Sequence, residues 1–98
     1  MPNGKLLVVE NDRTTASIIK MLVQKFDYEV VDIVSAGAHA ISSTEKNNPD
    51  LVLMDISIDG DIDGITAANT IINNYNTPVV YITSYSDKEI LRRALLTS

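Results

Sequence analysis

Short apolar runs alternate with longer amphipathic segments along the whole chain, and this alternation predicts the order β-α-β-α-β-α-β-α. The runs that predict buried strands are residues 6–9, 29–34, 51–54 and 79–82. Between them, apolar positions recur at the three- and four-residue spacing of a helix face, and residues 90–95 repeat it in a last predicted helix. Continuous apolar strands, each followed by a helix, indicate a parallel sheet that helices cover on both faces.

The apolar spacing also predicts which side of each helix faces the sheet. In the first helix, which Asn11 or Asp12 can cap, the inward positions are Ala16, Ile19, Leu22, Val23 and Phe26. A second helix, capped by Ser35 and ending near residue 45, turns inward Ala36, Ala40 and Ile41. The stripe of the third helix consists of Ile65, Ala68, Ile71, Ile72 and Tyr75.

Length and charge restrict the function classes that this fold could serve. The 98 residues correspond to one domain, and the net charge of −5 makes direct binding to nucleic acid or an anionic membrane unexpected. The chain has no cysteine, and His39 is its only histidine, which excludes thiolate chemistry and multi-histidine metal sites. No apolar run is long enough to span a bilayer, so a cytoplasmic location is expected.

Polar residues follow the predicted strands at the edge where parallel sheets bind ligands. Glu10 and Asn11 follow the first strand, Asp55 follows the third and Thr83 follows the fourth. Oxygen ligands of this kind suit Mg²⁺, and a carboxylate beside Mg²⁺ is a possible nucleophile toward a phosphoryl group. Each residue taken singly is more simply explained as a strand end or a helix cap, but three polar clusters at three strand ends favour a site.

In its order of motifs the chain resembles a response-regulator receiver domain over residues 5–98. The segments that carry the resemblance are Leu7-Val8-Val9-Glu10-Asn11-Asp12, Pro49-Asp50-Leu51-Val52-Leu53-Met54-Asp55-Ile56, Asp63-Gly64-Ile65 and Pro78-Val79-Val80-Tyr81-Ile82-Thr83-Ser84. The most specific of them is the third strand with its terminal aspartate. The resemblance implies a flavodoxin-like α/β fold with a parallel sheet of order 2-1-3-4.

The resemblance also implies a role for each candidate residue. Asp55 matches the phosphoacceptor, and Thr83 matches the switch hydroxyl that moves toward the phosphoryl group. Glu10 and Asn11 match the acidic pair that organises Mg²⁺, with Glu10 acting through water, and Ser57 matches the position whose backbone carbonyl binds the metal. The implied partner is a histidine kinase or a phosphotransfer protein, and the conformational response lies near Thr83 and the last helix. The domain is then no enzyme beyond self-phosphorylation from small donors and autodephosphorylation.

The chain departs from the family pattern in three ways. Asn11 replaces the second acid of the pair, which removes one negative charge and should weaken Mg²⁺ binding. Residues 1–98 lack the fifth strand, with its phosphoryl-contacting lysine, and the fifth helix, so we expect them to be a truncated receiver domain. A homodimer through strand four or the last helix is expected in consequence. The loop between Asp55 and Gly64 is one residue longer than the commonest spacing and lacks the usual proline.

Two alternative functions remain open from the sequence. The segment Asp55–Thr66 places aspartate, serine and glycine at several positions of an EF-hand-type Ca²⁺ loop, although Thr66 stands where a bidentate glutamate is expected. The loop also follows an apolar run that predicts a strand and not a helix. The second alternative is a degenerate interaction domain that is not phosphorylated, which Asn11 and the missing lysine would favour.

Overall fold

The computed structural model describes residues 3–56, 58, 60, 62–82 and 93, and in this part of the chain four strands alternate with three helices. The strands are β1 Gly4–Val9, β2 Tyr28–Val34, β3 Leu51–Asp55 and β4 Val79–Ile82. The helices are α1 Arg13–Lys25, α2 Gly37–Asn47 and α3 Gly64–Tyr75. Apart from Arg93, the last predicted helix lies outside the described residues.

All strands pair in parallel, and their order across the sheet is β2-β1-β3-β4, which confirms the predicted order 2-1-3-4. The register places Val9 of β1 opposite both Val34 of β2 and Met54 of β3. One residue further along, Asp55 of β3 lies opposite Ile82 of β4. The carboxyl ends of the strands therefore reach the same edge of the sheet, from which the connections to the helices start.

The core consists of two apolar layers, one on each face of the sheet. Side chains alternate along a strand, so Leu7 and Val9 enter one layer while Val8 enters the other. The first layer packs against α2 and α3 and contains Leu7, Val9, Ala40, Val52, Met54, Ala67 and Ile71. The second lies beneath α1 and is built around Val8, Ile19 and Ile82. In the described part of the chain, no helix combines the length and the apolar character needed to cross a bilayer.

Three details of the predicted helix faces are wrong. Phe26 is 53% exposed because α1 ends at Lys25, which leaves Phe26 at the C-cap and off the helix face. Ile65 and Ile72 of α3 are 49% and 40% exposed. The face that α3 turns inward consists of Gly64, Ala67, Ala68 and Ile71. Small residues let the helix lie close to the sheet, and this contact outweighs the larger apolar side chains on the neighbouring face.

The helix ends follow from residues that favour particular backbone conformations. Asn48 and Asn76 take the left-handed conformation at the C-caps of α2 and α3, with φ of 47° and 55°. A proline follows each of these caps by one or two residues and prevents the helix from continuing. At the start of α2 the predicted cap, Ser35, is wrong by one residue, because the N-cap is Ala36.

Candidate functional site

Two buried carboxylates stand side by side where β1 and β3 end. Val9 pairs with Met54, so Glu10 and Asp55 directly follow paired residues on neighbouring strands, which run about 4.8 Å apart. Glu10 is 3% exposed and Asp55 is 2% exposed. Two like charges removed from water at this spacing repel each other, and a bound cation relieves that repulsion. The position is therefore suited to an oxygen-ligated metal ion.

Hydrogen bonds of two acidic residues, Glu10 and Asp12, stabilise the turn between β1 and α1. The Glu10 N–H donates to the carbonyl oxygen of Val34 at 2.9 Å, and Glu10 Oε2 accepts from the Asp12 N–H at 3.1 Å. The Asp12 side chain caps α1 by accepting from the N–H of Thr15 at 3.3 Å and from its hydroxyl. The carboxylate of Asp12 is therefore engaged in capping α1.

Gly64 brings the first turn of α3 against the end of β3. A Cβ atom at this position would lie 2.6 Å from the Cα atom of Ile56, so no larger residue fits without a backbone shift. The Gly64 N–H donates to the carbonyl oxygen of Ile56 at 3.3 Å. The amino end of a helix carries a partial positive charge, which is favourable beside an acidic site. The small side chain at position 64 thus contributes to the geometry around Asp55.

Asp63 caps this same helix. Its Oδ1 accepts from the Thr66 N–H at 2.7 Å, and hydrogen bonds from the backbone and side chain of Thr66 lower the pKa of Asp63 below its ordinary value of 3.8. These bonds favour the ionised form because the carboxylate is the better acceptor. Asp63 therefore stabilises the start of α3. It lies near the end of the segment Asp55–Thr66, which resembles a Ca²⁺ loop in sequence.

The structure places some of the predicted site residues together and leaves others undescribed. Glu10 and Asp55 are neighbours, and Asn11 directly follows Glu10. Ser57 and Thr83 lie outside the described residues. In residues 3–56, 58, 60, 62–82 and 93, no group of three or more histidine, cysteine or acidic side chains is arranged to hold a metal ion. Two carboxylates, Glu10 and Asp55, lie at this edge with Asn11 directly after Glu10, and oxygen donors of these kinds fit Mg²⁺.

The Ca²⁺-loop alternative receives no support from the elements around it. The segment that begins at Asp55 is preceded by strand β3, whereas an EF-hand loop joins two helices. Ser57, Asp59 and Asp61 lie outside the described residues, so the structure gives no arrangement of these candidate ligands.

The structure also reveals two contributors that the sequence reasoning did not assign. In the sequence, Asp63 belongs to a matched motif without an assigned role, although an aspartate directly before a helical apolar pattern is an N-cap signal. Gly64 belonged to the matched motif without a physical reason for its presence. A glycine at the first position of a helix can indicate close packing at that point. Here it allows α3 to approach Ile56 more closely than any larger side chain would permit.

The chain matches known proteins over most of its length. A family model described as the response regulator receiver domain matches residues 6–97. The regulatory protein PdtaR of Mycobacterium tuberculosis is 29% identical over 90 residues, which are 92% of this chain and 43% of that protein. The chemotaxis protein CheY of Treponema pallidum is 33% identical, over 97% of this chain and 69% of that protein.

Solved structures show the same likeness. The response regulator PhyR from Brucella abortus superposes with a TM-score of 0.78 at 31% identity, over 90% of this chain and 36% of that one. A signal receiver domain of a modulated diguanylate cyclase from Desulfovibrio desulfuricans shares the fold, with a TM-score of 0.78 at 24% identity, over 93% of this chain and 75% of that one. The chain spans less than half the length of PdtaR and of PhyR.

Proposed function

The chain belongs to the response-regulator receiver family, and on this premise we propose that it accepts a phosphoryl group on Asp55 from a phosphohistidine. The observation that carries the proposal is the position of Asp55, which ends β3 at the ligand edge of the sheet, 2% exposed and beside Glu10. An aspartate with only a structural role would be expected at a solvent-exposed position. A buried one at this edge is suited to act as a nucleophile once its charge is balanced.

The proposed step is a transfer between two protein side chains. A carboxylate oxygen of Asp55 attacks the phosphorus atom, a P–O bond forms, and the P–N bond to the donor histidine breaks. The electron pair of that bond returns to the imidazole nitrogen, which takes a proton from water, and the product is an acyl phosphate on Asp55. No oxidant or further reactant is needed. The donor is a histidine kinase or a phosphotransfer protein, as the family relationship suggests.

Mg²⁺ is the metal that the donor set suits. Asp55 and Asn11 would bind it through side-chain oxygens, the backbone carbonyl of Ser57 would complete the protein ligands, and Glu10 would act through water. When bound, the ion supplies positive charge against the charge that develops on the phosphoryl oxygens. The hydrogen bond from the Asp12 N–H keeps Glu10 in place, and the cap that Asp12 makes to Thr15 keeps α1 in register with the site.

Thr83 is proposed as the residue that reports phosphorylation. Ile82, the residue before it, pairs with Asp55 across β3 and β4, so the chain passes the site at this point. A hydroxyl there would donate to a phosphoryl oxygen, and the change in hydrogen bonding would alter the segment that follows. A shifted equilibrium between two conformations is the output expected of such a domain.

The test is phosphorylation with acetyl phosphate and Mg²⁺, followed by intact mass. The wild-type chain should gain one phosphoryl group, and Asp55→Asn should gain none, because the amide keeps the shape and removes the nucleophile. Asp27→Asn is the matched control, since Asp27 lies in a left-handed turn that asparagine also adopts, at the other end of the sheet. Labelling of Asp55→Asn, or loss of labelling in Asp27→Asn, would show that the assignment is wrong.

A further inference from the structure

Strand β2 forms one edge of the described sheet, and a bulge reverses the direction of its side chains halfway along. The pairing with β1 is regular up to Val30 and resumes at Asp32, so Val31 is the extra residue. Val30 packs in the layer beneath α1, whereas Val34 packs in the layer against α2 and α3. Two residues four positions apart in a regular strand would lie on the same face. The bulge therefore places Asp32, two positions before Val34, on the face that α2 covers.

The side chain of Asp32 occupies a backbone donor at the outer edge of the strand. The carbonyl oxygen of Val34 accepts from the Glu10 N–H at 2.9 Å, so the backbone groups of Val34 face β1. Backbone groups of successive residues in a strand point to opposite sides, and the N–H of Ile33 therefore points away from β1. Asp32 Oδ1 accepts from this N–H at 2.9 Å. A donor that a further strand would use is thus already bound within the chain.

Helix α2 holds the Asp32 carboxylate in this position. Asp32 Oδ2 accepts from the hydroxyl of Ser43 at 2.8 Å, and the oxygen of that hydroxyl accepts from the side-chain amide of Asn47 at 2.9 Å. Ser43 is 6% exposed, so its hydroxyl is fixed by the packing of α2. The carboxylate can leave the edge only if it gives up hydrogen bonds to two different elements, which favours its position beside β2.

The strand that would pair with an open β2 edge is present in the chain itself. Strand β4 lies at the opposite edge of the described sheet, where Val80 and Tyr81 are 49% and 38% exposed. All strands run parallel, so β4 of one copy would continue the sheet if it paired with β2 of the next. Such a head-to-tail contact joins two different surfaces and generates rings or open-ended filaments, whereas a contact between two β4 strands stops at the dimer.

We propose that Asp32 closes the β2 edge against β4 of a second copy of this chain, and so prevents head-to-tail assembly of the sheet. The bulge directs the side chain, the bond to Ile33 removes the donor, and Ser43 fixes the carboxylate. An incoming strand would also have to bury this charge, which is costly without a partner of opposite charge. The proposal is independent of phosphorylation of Asp55.

The experiment measures the mass of the full chain by light scattering and sedimentation across a concentration series. The mass of Asp32→Ala should rise with concentration and exceed that of a dimer, whereas the wild-type chain should not exceed it. Asp32→Asn is the matched control, because it removes the same charge but keeps an oxygen that accepts from the Ile33 N–H. It should behave as wild type. Adding Val80→Lys to Asp32→Ala should abolish the large species, because it places a charge on the strand that pairs with β2.

Amide hydrogen exchange tests the closed edge in single chains. In the Val80→Lys background, adding Asp32→Ala should lower the protection factor of the Ile33 amide about tenfold, as expected for loss of a charge-assisted hydrogen bond. The amide of Val8, in the core of the sheet, should keep its protection, which shows that the variant is folded. An Asp32→Ala chain of wild-type mass, an Asp32→Asn chain that assembles like Asp32→Ala, or unchanged protection of Ile33 would each overturn the proposal.

Discussion

A Cβ atom placed on Gly64 would lie 2.8 Å from the carbonyl oxygen of Asp55. The start of α3 and the end of β3 are therefore in direct backbone contact, and the candidate nucleophile is positioned partly by a residue that has no side chain. Glycine at this point is a requirement of packing, since the Gly64 N–H also donates to Ile56 across the same contact.

Gly64→Ala should consequently destabilise the domain. Within a helix this substitution normally gains up to about 1 kcal/mol, whereas insertion of a methyl group into a closed contact costs about 1–3 kcal/mol, so we expect a net loss of stability. Denaturant unfolding measures it, and acetyl phosphate labelling should become slower because Asp55 moves. Asn73→Ala, at an exposed position of α3, is the control. A variant as stable as Asn73→Ala would contradict the close contact.

Asn11→Asp should strengthen Mg²⁺ binding. One added ligand charge next to Glu10 and Asp55 is worth roughly a few tenths to a few kcal/mol, depending on the local dielectric. Without Mg²⁺ the same substitution should lower thermal stability, because a third carboxylate joins two buried ones. Calorimetric titration and melting with and without Mg²⁺ measure both effects. Asn73→Asp adds the same charge away from the site, and weaker or equal Mg²⁺ binding by Asn11→Asp would contradict the role of Asn11.

The cap formed by Asp63 makes the stability of α3 depend on pH. The pKa of Asp63 is lowered in the folded state by its hydrogen bonds with Thr66, so its contribution is present above the unfolded-state value. That contribution is lost as the pH falls from about 3.8 through the folded-state pKa. The stability difference between wild type and Asp63→Asn should therefore shrink over this acidic window.

Denaturant unfolding at several acidic pH values measures this difference. Glu45→Gln is the control, because it removes one negative charge from an exposed position of α2. A difference between wild type and Asp63→Asn that stays constant with pH would show that the carboxylate charge of Asp63 does not stabilise the helix. The carboxyl carbon shift of Asp63, followed by NMR through the same range, reports its pKa directly.

Self-association through β4 is expected from the position of this strand at one edge of the described sheet. Val80 is 49% exposed and Tyr81 is 38% exposed, and edge strands with apolar side chains can pair with another chain. Val80→Lys should shift the chain toward monomer in light scattering across a concentration series. Met21→Lys alters an apolar residue of α1 that is 56% exposed, and it should not shift the chain toward monomer. A wild-type chain that is monomeric at high concentration would refute the prediction.

The order of the described elements and the positions of Glu10 and Asp55 at one edge of the sheet could be read from the sequence, because they depend on local pattern. Apolar runs at residues 6–9, 51–54 and 79–82 are short and are bounded by polar or turn-forming residues, which favours buried strands. In a parallel sheet the residue after each strand reaches the ligand edge, so Glu10 and Asp55 could be placed at one edge of the sheet before any contact was known. The cap signal of Asp12 is equally local, since it involves a residue only three positions away.

Only the tertiary structure decided which faces of the helices are buried and what surrounds the site. The sequence predicts burial of Ile65 and Ile72 in α3 because both side chains are large and apolar. In the structure these two are exposed, and the residues packed against the sheet include Gly64 and Ala67. The contact between Gly64 and the end of β3 depends on how α3 approaches the sheet. Contacts between residues far apart in the chain leave no local pattern in the sequence. The sequence therefore determined where each helix and strand lies along the chain, and packing determined which side chains are buried.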